Sequence, residues 1–287
     1  MRKGQGLTAS LFLLPYATLF LIFTLGPLLY GFWISLHNWH ILSQDVPFVG
    51  FKNYATALGD DLFLHSLART GYFVLLAVPI GNMLSLLLAI GLNQGYRGTA
   101  FYSVCFYLPV VLSISVTAIL WRWIYSSESG LLNYYLGTQT QWLGSPTWAM
   151  PSIVLMSVWW GAGGNMLVYL AALKGVPKEQ LEAASLDGAR PWRRFWAVSW
   201  PAIRPATLFC LVMSVIAASQ VFGQTFILTN GGPADSTLTV ALYMYRQGFG
   251  MYQLGYASAV AYLLFALVLA FSIVQFRMMA KALRPDL

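Results

Sequence analysis

The stretch Glu182-Ala183-Ala184-Ser185-Leu186-Asp187-Gly188-Ala189, running on to Pro201 and Pro205, is a polar, basic island between two long uncharged apolar runs. Its pattern predicts two short helices hinged at a glycine. Pro177-Lys178-Glu179-Gln180 sets Pro near a helix start and acids in the first turn, where the helix dipole favours them. Gly188 stands where a helix ends on a left-handed residue. Pro191 then suits the first turn of a second helix, Trp192 to Ser199. A structured module between two apolar runs implies docking to something outside a bilayer.

The flanking composition agrees with a bilayer. Charged residues make up 9% of the chain and hydrophobic ones 58%, whereas a soluble domain carries roughly 25% charged residues. A helix crossing about 30 Å of hydrocarbon needs around 20 apolar residues. Six stretches qualify, at approximately 11–36, 70–92, 99–120, 152–173, 206–228 and 254–276. The first follows Arg2-Lys3, but its apolar run is too long for a signal peptide and no small-x-small cleavage site follows, so it reads as a retained anchor. The expectation is one all-α membrane domain spanning 1–287, with kinks at Pro27, Pro79 and Pro109. Outer loops fall at 37–69, 125–151 and 230–253, and the cytoplasmic loop at 174–205.

Orientation follows from the basic residues. Arg2, Lys3, Arg97, Lys174, Lys178, Arg190, Arg193, Arg194, Arg204, Arg277, Lys281 and Arg284 fall on one side, twelve of the 16. Lys52, Arg69, Arg122 and Arg246 fall on the other. The positive-inside rule then places both termini and the Glu182 loop in the cytoplasm of a multi-pass cytoplasmic-membrane protein. The net charge of +7 comes largely from this bias and carries no nucleic-acid signal. Aromatics such as Trp33, Trp39, Trp121, Trp123, Trp142 and Trp148 cluster near span ends, as an interfacial belt does.

The six stretches contain no Asp, Glu, Lys, Arg or His. Ion-coupled transporters and intramembrane hydrolases need such groups within the membrane. His37, His40 and His65 lie at or beyond the outer boundary. His37 and His40 read as surface-loop residues, with a metal pair the weaker alternative. Cys105 and Cys210 read as small buried thiols. No phosphate-binding glycine loop is present, so energy for uphill movement must come from another chain.

Neutral polar residues do occur in the spans. Ser157, Trp160, Gly161, Gly164 and Asn165 recur on one face of the fourth, and the fifth carries Ser214, Gln220 and Gln224. They serve either to pack helices together or to line a path. Gln220 and Gln224, one turn apart, are expected to share a face. Amides, hydroxyls and an indole without charge suit a neutral polyhydroxylated solute, since an ionic one more often meets Arg or Lys.

The Glu182 stretch resembles the EAA loop of binding-protein-dependent ABC-importer permeases. Glu182-Ala183-Ala184 is followed by three residues and Gly188, then nine residues, Val198, Ser199 and Trp200-Pro201. Val198 stands for the usual Ile and Trp200 for the usual Leu. Leu228-Thr229-Asn230-Gly231-Gly232-Pro233, continued by Ser236-Thr237-Leu238-Thr239 and Tyr243-Met244-Tyr245, is similar to a turn in the carbohydrate-uptake (maltose and sn-glycerol-3-phosphate type) branch. Pro27, Ser35-Leu36 and Phe48-Val49-Gly50-Phe51-Lys52-Asn53-Tyr54 extend the likeness to roughly residues 10 to 280.

The resemblance implies six transmembrane helices in the type I importer (MetI-like) permease fold. It implies a second permease, two ATPase subunits that bind ATP and Mg, and an extracytoplasmic sugar-binding protein. This chain would hold no cofactor, no metal and no catalytic residue. The loop would grip the ATPase, with Glu182 orienting the docking helix, Ala183 and Ala184 allowing close approach, and Asp187 and Gly188 shaping the turn. The family's mid-membrane contacts fall near Ser157, Trp160, Gly161, Gly164, Ser214 and Ala218. Two rivals come from other classes. One is a membrane enzyme with an interfacial cytoplasmic site, suggested by Trp192, Trp196 and Trp200 beside Arg193, Arg194 and Arg204. The other is a facilitator that works without ATP.

Overall fold

The computed structural model describes the backbone of residues 3–283 and the side chains of 11–278. Arg2 and Arg284, used for orientation, lie outside the described residues, as do the side chains of Lys3 and Lys281. The described chain is helical, with two isolated bridges, His37–Phe48 and His40–Gln253, in place of any strand.

The helices are α1 (Lys3–Phe20), α2 (Gly26–Ser35), α3 (Lys52–Leu58), α4 (Asp61–Asn93), α5 (Thr99–Val111), α6 (Ile114–Ile124) and α7 (Leu131–Leu136). They continue as α8 (Ala149–Lys174), α9 (Lys178–Leu186), α10 (Pro191–Arg194), α11 (Trp200–Ser219), α12 (Gly223–Leu228), α13 (Val240–Tyr245) and α14 (Leu254–Leu283). π-helical turns at Leu21–Leu25 and Phe195–Ser199 join α1 to α2 and α10 to α11, and a third follows α13 at Arg246–Gly250.

Five continuous helices are long and apolar enough to cross a membrane: Leu11–Ser35, Asp61–Asn93, Ala149–Lys174, Pro191–Ser219 and Leu254–Met278. The α5–α6 pair, bent by 97°, makes the sixth span.

Several boundaries differ from the sequence expectation. The second span begins at Asp61 rather than near Thr70, so helix occupies the end of the stretch expected to be a loop, 37–69. The helix runs through Pro79 without a break. Near Pro27 the chain accommodates the missing amide with the π turn, in which the Gly26 N–H reaches back to the Leu21 carbonyl. The third stretch is broken at Leu112–Ser113, just past Pro109. Ser113 restarts the helix as an N-cap, its hydroxyl accepting from the Val116 amide.

The fifth stretch also breaks. α11 ends at Ser219, Phe222 takes φ −134°, and α12 begins at Gly223. Exposed carbonyls at such breaks are costly in lipid. Here the Thr225 hydroxyl donates to Phe222 O at 2.9 Å, and Thr239 Oγ1 donates to Val221 O at 2.8 Å. The expected turn after this span is present, with Asn230 at φ 47° and Gly231 at φ 83°. Thr237 closes it by donating to Gly232 O at 2.9 Å.

The chain forms two compact units, Met1–Leu64 with Tyr243–Phe265 and His65–Leu242 with Ala266–Leu287. Among the described residues of the second are two apolar cores. One gathers Phe73, Met150, Ile153, Met156 and Val221; the other gathers Ala89, Met166, Tyr169, Leu173 and Ile203. The first unit is organised around Asp60. Its carboxylate caps α4 at the Leu62 amide (2.9 Å) and accepts from the Tyr256 hydroxyl (2.6 Å) and from Tyr243.

Two further expectations are corrected. His37 lies in the loop after α2 but not at the surface: it is buried, its Nδ1 lies 2.7 Å from Trp33 O and its ring packs on Trp33 and Phe48. Cys105 is exposed, while Cys210 is buried as expected.

Candidate functional site

The loop between α8 and the fifth span folds as a helical hairpin whose turn is set by one residue. α9 has Pro177 at its N-cap and Glu179 in its first turn. Asp187 sits at the C-cap, and Gly188 takes φ +75°. The Gly188 amide donates to Ser185 O at 3.1 Å and the Ala189 amide to Ala184 O at 3.0 Å. These are the two bonds of a Schellman closure, which needs a left-handed residue where Gly188 lies. A Cβ at Gly188 would meet nothing within 4 Å, so the constraint is the backbone angle alone. Asp187 shapes the turn through its main chain.

α9 presents Glu182, Ala183, Leu186 and Asp187 to solvent, with Leu186 90% exposed. Its other face is fastened: Leu181 packs on the core cluster that includes Leu173, Val176 and Ile203. The second half departs from the expectation of a separate helix ending at Ser199. α10, the π turn and α11 form one continuous helix, Pro191–Ser219. Pro201 does not break it. The π turn shifts the bonding so that the Trp200 amide reaches Phe195 O, and the helix passes the proline. Arg194 donates to the Ser185 hydroxyl, tying the hairpin's two arms together. Sequence reading had not assigned that contact, because a Ser–Arg pair nine residues apart carries no local signal.

A second site lies among α4, α8 and α11. A cleft of about 360 Å³ is lined by Ser157, Trp160, Gly161, Asn165, Ser214, Ala218 and Gln224, together with Phe73, Asn82, Ser85 and others. Seven of the nine path candidates therefore converge on one cavity. Gly164 and Gln220 do not line it. Gln220 and Gln224 do not share a helical face, because the chain breaks between them. Gln220 is the exposed C-cap of α11 and Gln224 lies in α12.

Asn82, an amide within the apolar second stretch that no local pattern singles out, is the hub. Its Nδ2 donates to Ser214 Oγ at 3.1 Å and to Val78 O at 2.9 Å, while its Oδ1 accepts from the Tyr169 hydroxyl at 3.1 Å. Asn165 Nδ2 also donates to Ser214 Oγ, at 2.9 Å. The wall thus joins three helices through neutral hydrogen bonds, and the same residues both pack helices and face the cavity. Trp160 donates its indole N–H to Leu112 O at 3.1 Å, at the α5–α6 break. None of the lining side chains is ionisable.

The family described as "Binding-protein-dependent transport system inner membrane component" matches residues 81–285, which hold the hairpin and most of the cleft lining. The chain belongs to that family. It is the permease subunit of an ATP-binding-cassette importer.

Relatives agree over nearly the whole length. The permease is 34% identical to the probable ABC transporter permease protein YesP of Bacillus subtilis, over 96% of this chain and 91% of the relative. It is 32% identical to the trehalose/maltose transport system permease protein MalF of Thermococcus litoralis, over 92% and 90%. It is 35% identical to the sn-glycerol-3-phosphate transport system permease protein UgpA of Agrobacterium fabrum, over 82% and 81%. In fold, the permease is similar to a chain of a bacterial ABC transporter involved in import of the acidic polysaccharide alginate. The TM-score is 0.85 at 24% identity, covering 97% of this chain and 96% of that one.

Proposed function

We propose that this permease carries a neutral carbohydrate or related polyol across the cytoplasmic membrane by alternating access. The observation that carries the reading is the cleft of about 360 Å³ whose polar groups are amides, hydroxyls and one indole, with no ionisable side chain. Such groups pair with sugar hydroxyls, and the indole offers an apolar face for a pyranose ring. A relative named for trehalose/maltose transport supports the solute class. Ser157, Trp160, Asn165, Ser214 and Gln224 serve as solute contacts.

The permease works with a second permease subunit, two ATPase subunits and an extracytoplasmic binding protein. ATP and Mg are held by the ATPases, and this chain has no catalytic role. Glu182, Ala183, Ala184, Asp187 and Gly188 seat the ATPase, which places the hairpin and both termini in the cytoplasm. The decisive experiment is mass spectrometry of the ligand held by the binding protein that co-purifies with the importer, paired with uptake by a Gln224→Leu variant. A neutral polyol ligand and impaired uptake with the ATPase still bound are expected. A tightly held anionic ligand overturns the solute class.

A further inference from the structure

We infer that the Arg190–Trp200 segment is a docking surface for anionic lipid headgroups, and that the bilayer surface thereby sets the seat of the ATPase-coupling hairpin.

Four observations point to a lipid partner. First, the segment is continuous with a membrane span, the 29-residue helix Pro191–Ser219, so it leaves the bilayer without a hinge. Second, it carries a ladder of indoles. Trp192 and Trp196 lie 5.5 Å apart and Trp196 and Trp200 5.3 Å apart, ring centre to ring centre. Trp200 and Phe195 pack inward on the core, whereas Trp192 stays 72% exposed and Trp196 46%. Amphipathic rings stepping outward from a span match the headgroup layer. Third, Arg190 and Arg193 are exposed along it and Arg204 just beyond it, and no Asp or Glu occurs between Gly188 and Ala234. Fourth, the charge is divided between the two arms of the hairpin. α9 carries Lys178 against Glu179 and Glu182, with Asp187 at its C-cap, a net acidic balance that an anionic surface repels, while the charged residues of the second arm are all basic. The acidic arm is free for protein, and the basic, aromatic arm is complementary to anionic lipid.

The linkage to coupling is the Arg194–Ser185 contact, through which the position of one arm fixes the other. A basic residue at an anionic surface contributes about fivefold to lipid association. Arg190 and Arg193 together therefore provide a strong headgroup preference.

The test uses the full importer in nanodiscs of phosphatidylcholine, or of phosphatidylcholine mixed with phosphatidylglycerol. A photo-crosslinking residue at the exposed Ala197, one turn from Arg193, reports what covers the face. A phosphatidylglycerol adduct is expected. An adduct to the ATPase, or equal labelling of both lipids in the mixture, overturns the proposal. In the second arm, phosphatidylglycerol raises ATP hydrolysis several-fold in the unmodified importer. Arg190→Gln with Arg193→Gln abolishes that stimulation, and Arg190→Lys with Arg193→Lys retains it. Retention by the Gln pair overturns the proposal. The hydrolysis arm rests on the importer reading and the crosslink does not. Absence of solute-stimulated hydrolysis in every lipid indicts that reading, while the adduct still judges the lipid surface.

Discussion

Trp160 of α8 donates its indole N–H to the carbonyl of Leu112 at 3.1 Å, across the break that separates α5 from α6. The contact explains how a span bent by 97° survives in lipid: the carbonyl freed by the bend finds a donor on a neighbouring helix. Trp160→Phe keeps the aromatic face and removes the donor. An orphaned carbonyl costs about 1–3 kcal/mol. The apparent melting temperature of the detergent-solubilised complex should fall. An unchanged melting temperature would show that the bond does not hold the bend.

Asn82 and Ser214 form the node between α4 and α11, and Asn165 brings in α8. Interhelical side-chain bonds in membranes average about 0.6 kcal/mol. A double-mutant cycle of Asn82→Leu and Ser214→Ala should give a coupling of that order, with uptake impaired in each single variant. Strict additivity would mean that the two side chains act independently.

Two adjacent glycines should behave in opposite ways. A Cβ on Gly163 would fall 2.3 Å from Phe106 O and 2.8 Å from Tyr107 Cα, both main-chain atoms of α5. Neither can rotate away, so Gly163→Ala must push α5 off α8. A Cβ on Gly164 meets nothing within 4 Å. Gly164→Ala should accumulate in membranes at the native level and Gly163→Ala should not. Immunoblots of membranes from matched cultures decide it.

These cases mark what a sequence can and cannot convey. The six spans were legible because hydrocarbon thickness fixes a minimum apolar length, and Gly188 because a glycine after a helical pattern has one common use. The breaks at Leu112–Ser113 and Gln220–Phe222 were hidden, because apolar residues continue on both sides and hydropathy is blind to backbone angle. Gly163 and Gly164 look alike in sequence; only the approach of α5 separates them. Asn82 stood in an apolar run, its interhelical partners Tyr169 and Ser214 87 and 132 positions away. The continuity of α10 with α11 was obscured by Pro201, whose usual effect on a helix is absorbed by a π turn.

Asp60 makes acid sensitivity local. Burial pushes its carboxyl upward, but hydrogen bonds from Tyr243, Tyr256 and the Leu62 and Phe63 amides outweigh this and hold it below the usual carboxylate range. The Tyr243 phenol is pushed up to about 12, by burial and by the same carboxylate, and stays a donor at neutral pH. A depressed carboxylate stabilises the fold above its unfolded pKa, and the contribution is lost as pH falls through the folded value. Asp60→Asn should therefore lower the melting temperature at neutral pH, and the gap to the native protein should close below about pH 4, the unperturbed Asp range. A gap independent of pH would point to packing instead of charge.

The hairpin offers the most direct test of coupling. Gly188 at φ +75° closes α9 through the Gly188 and Ala189 amides, and a side chain there costs around 1 kcal/mol or more. Gly188→Val, with a β-branched residue in the left-handed region, should open the turn and swing the two arms apart. Ala183→Leu adds bulk on the exposed face of α9 without touching the cores. Glu182→Lys reverses a solvent-facing charge on the same face. Insertion depends on the apolar spans, so all three variants should reach the membrane at native levels. All three should lose uptake and solute-stimulated ATP hydrolysis together, along with co-purification of the ATPase. Ser185→Ala, which removes the acceptor for Arg194 and the hydroxyl's own bond to Leu181 O, should weaken coupling less than Gly188→Val, because the Schellman bonds remain. Uptake and ATPase recovery from membranes matched for permease level report both quantities. If Gly188→Val and Glu182→Lys keep full transport and a bound ATPase, the hairpin is not the coupling element, and force from ATP closure must enter the permease elsewhere.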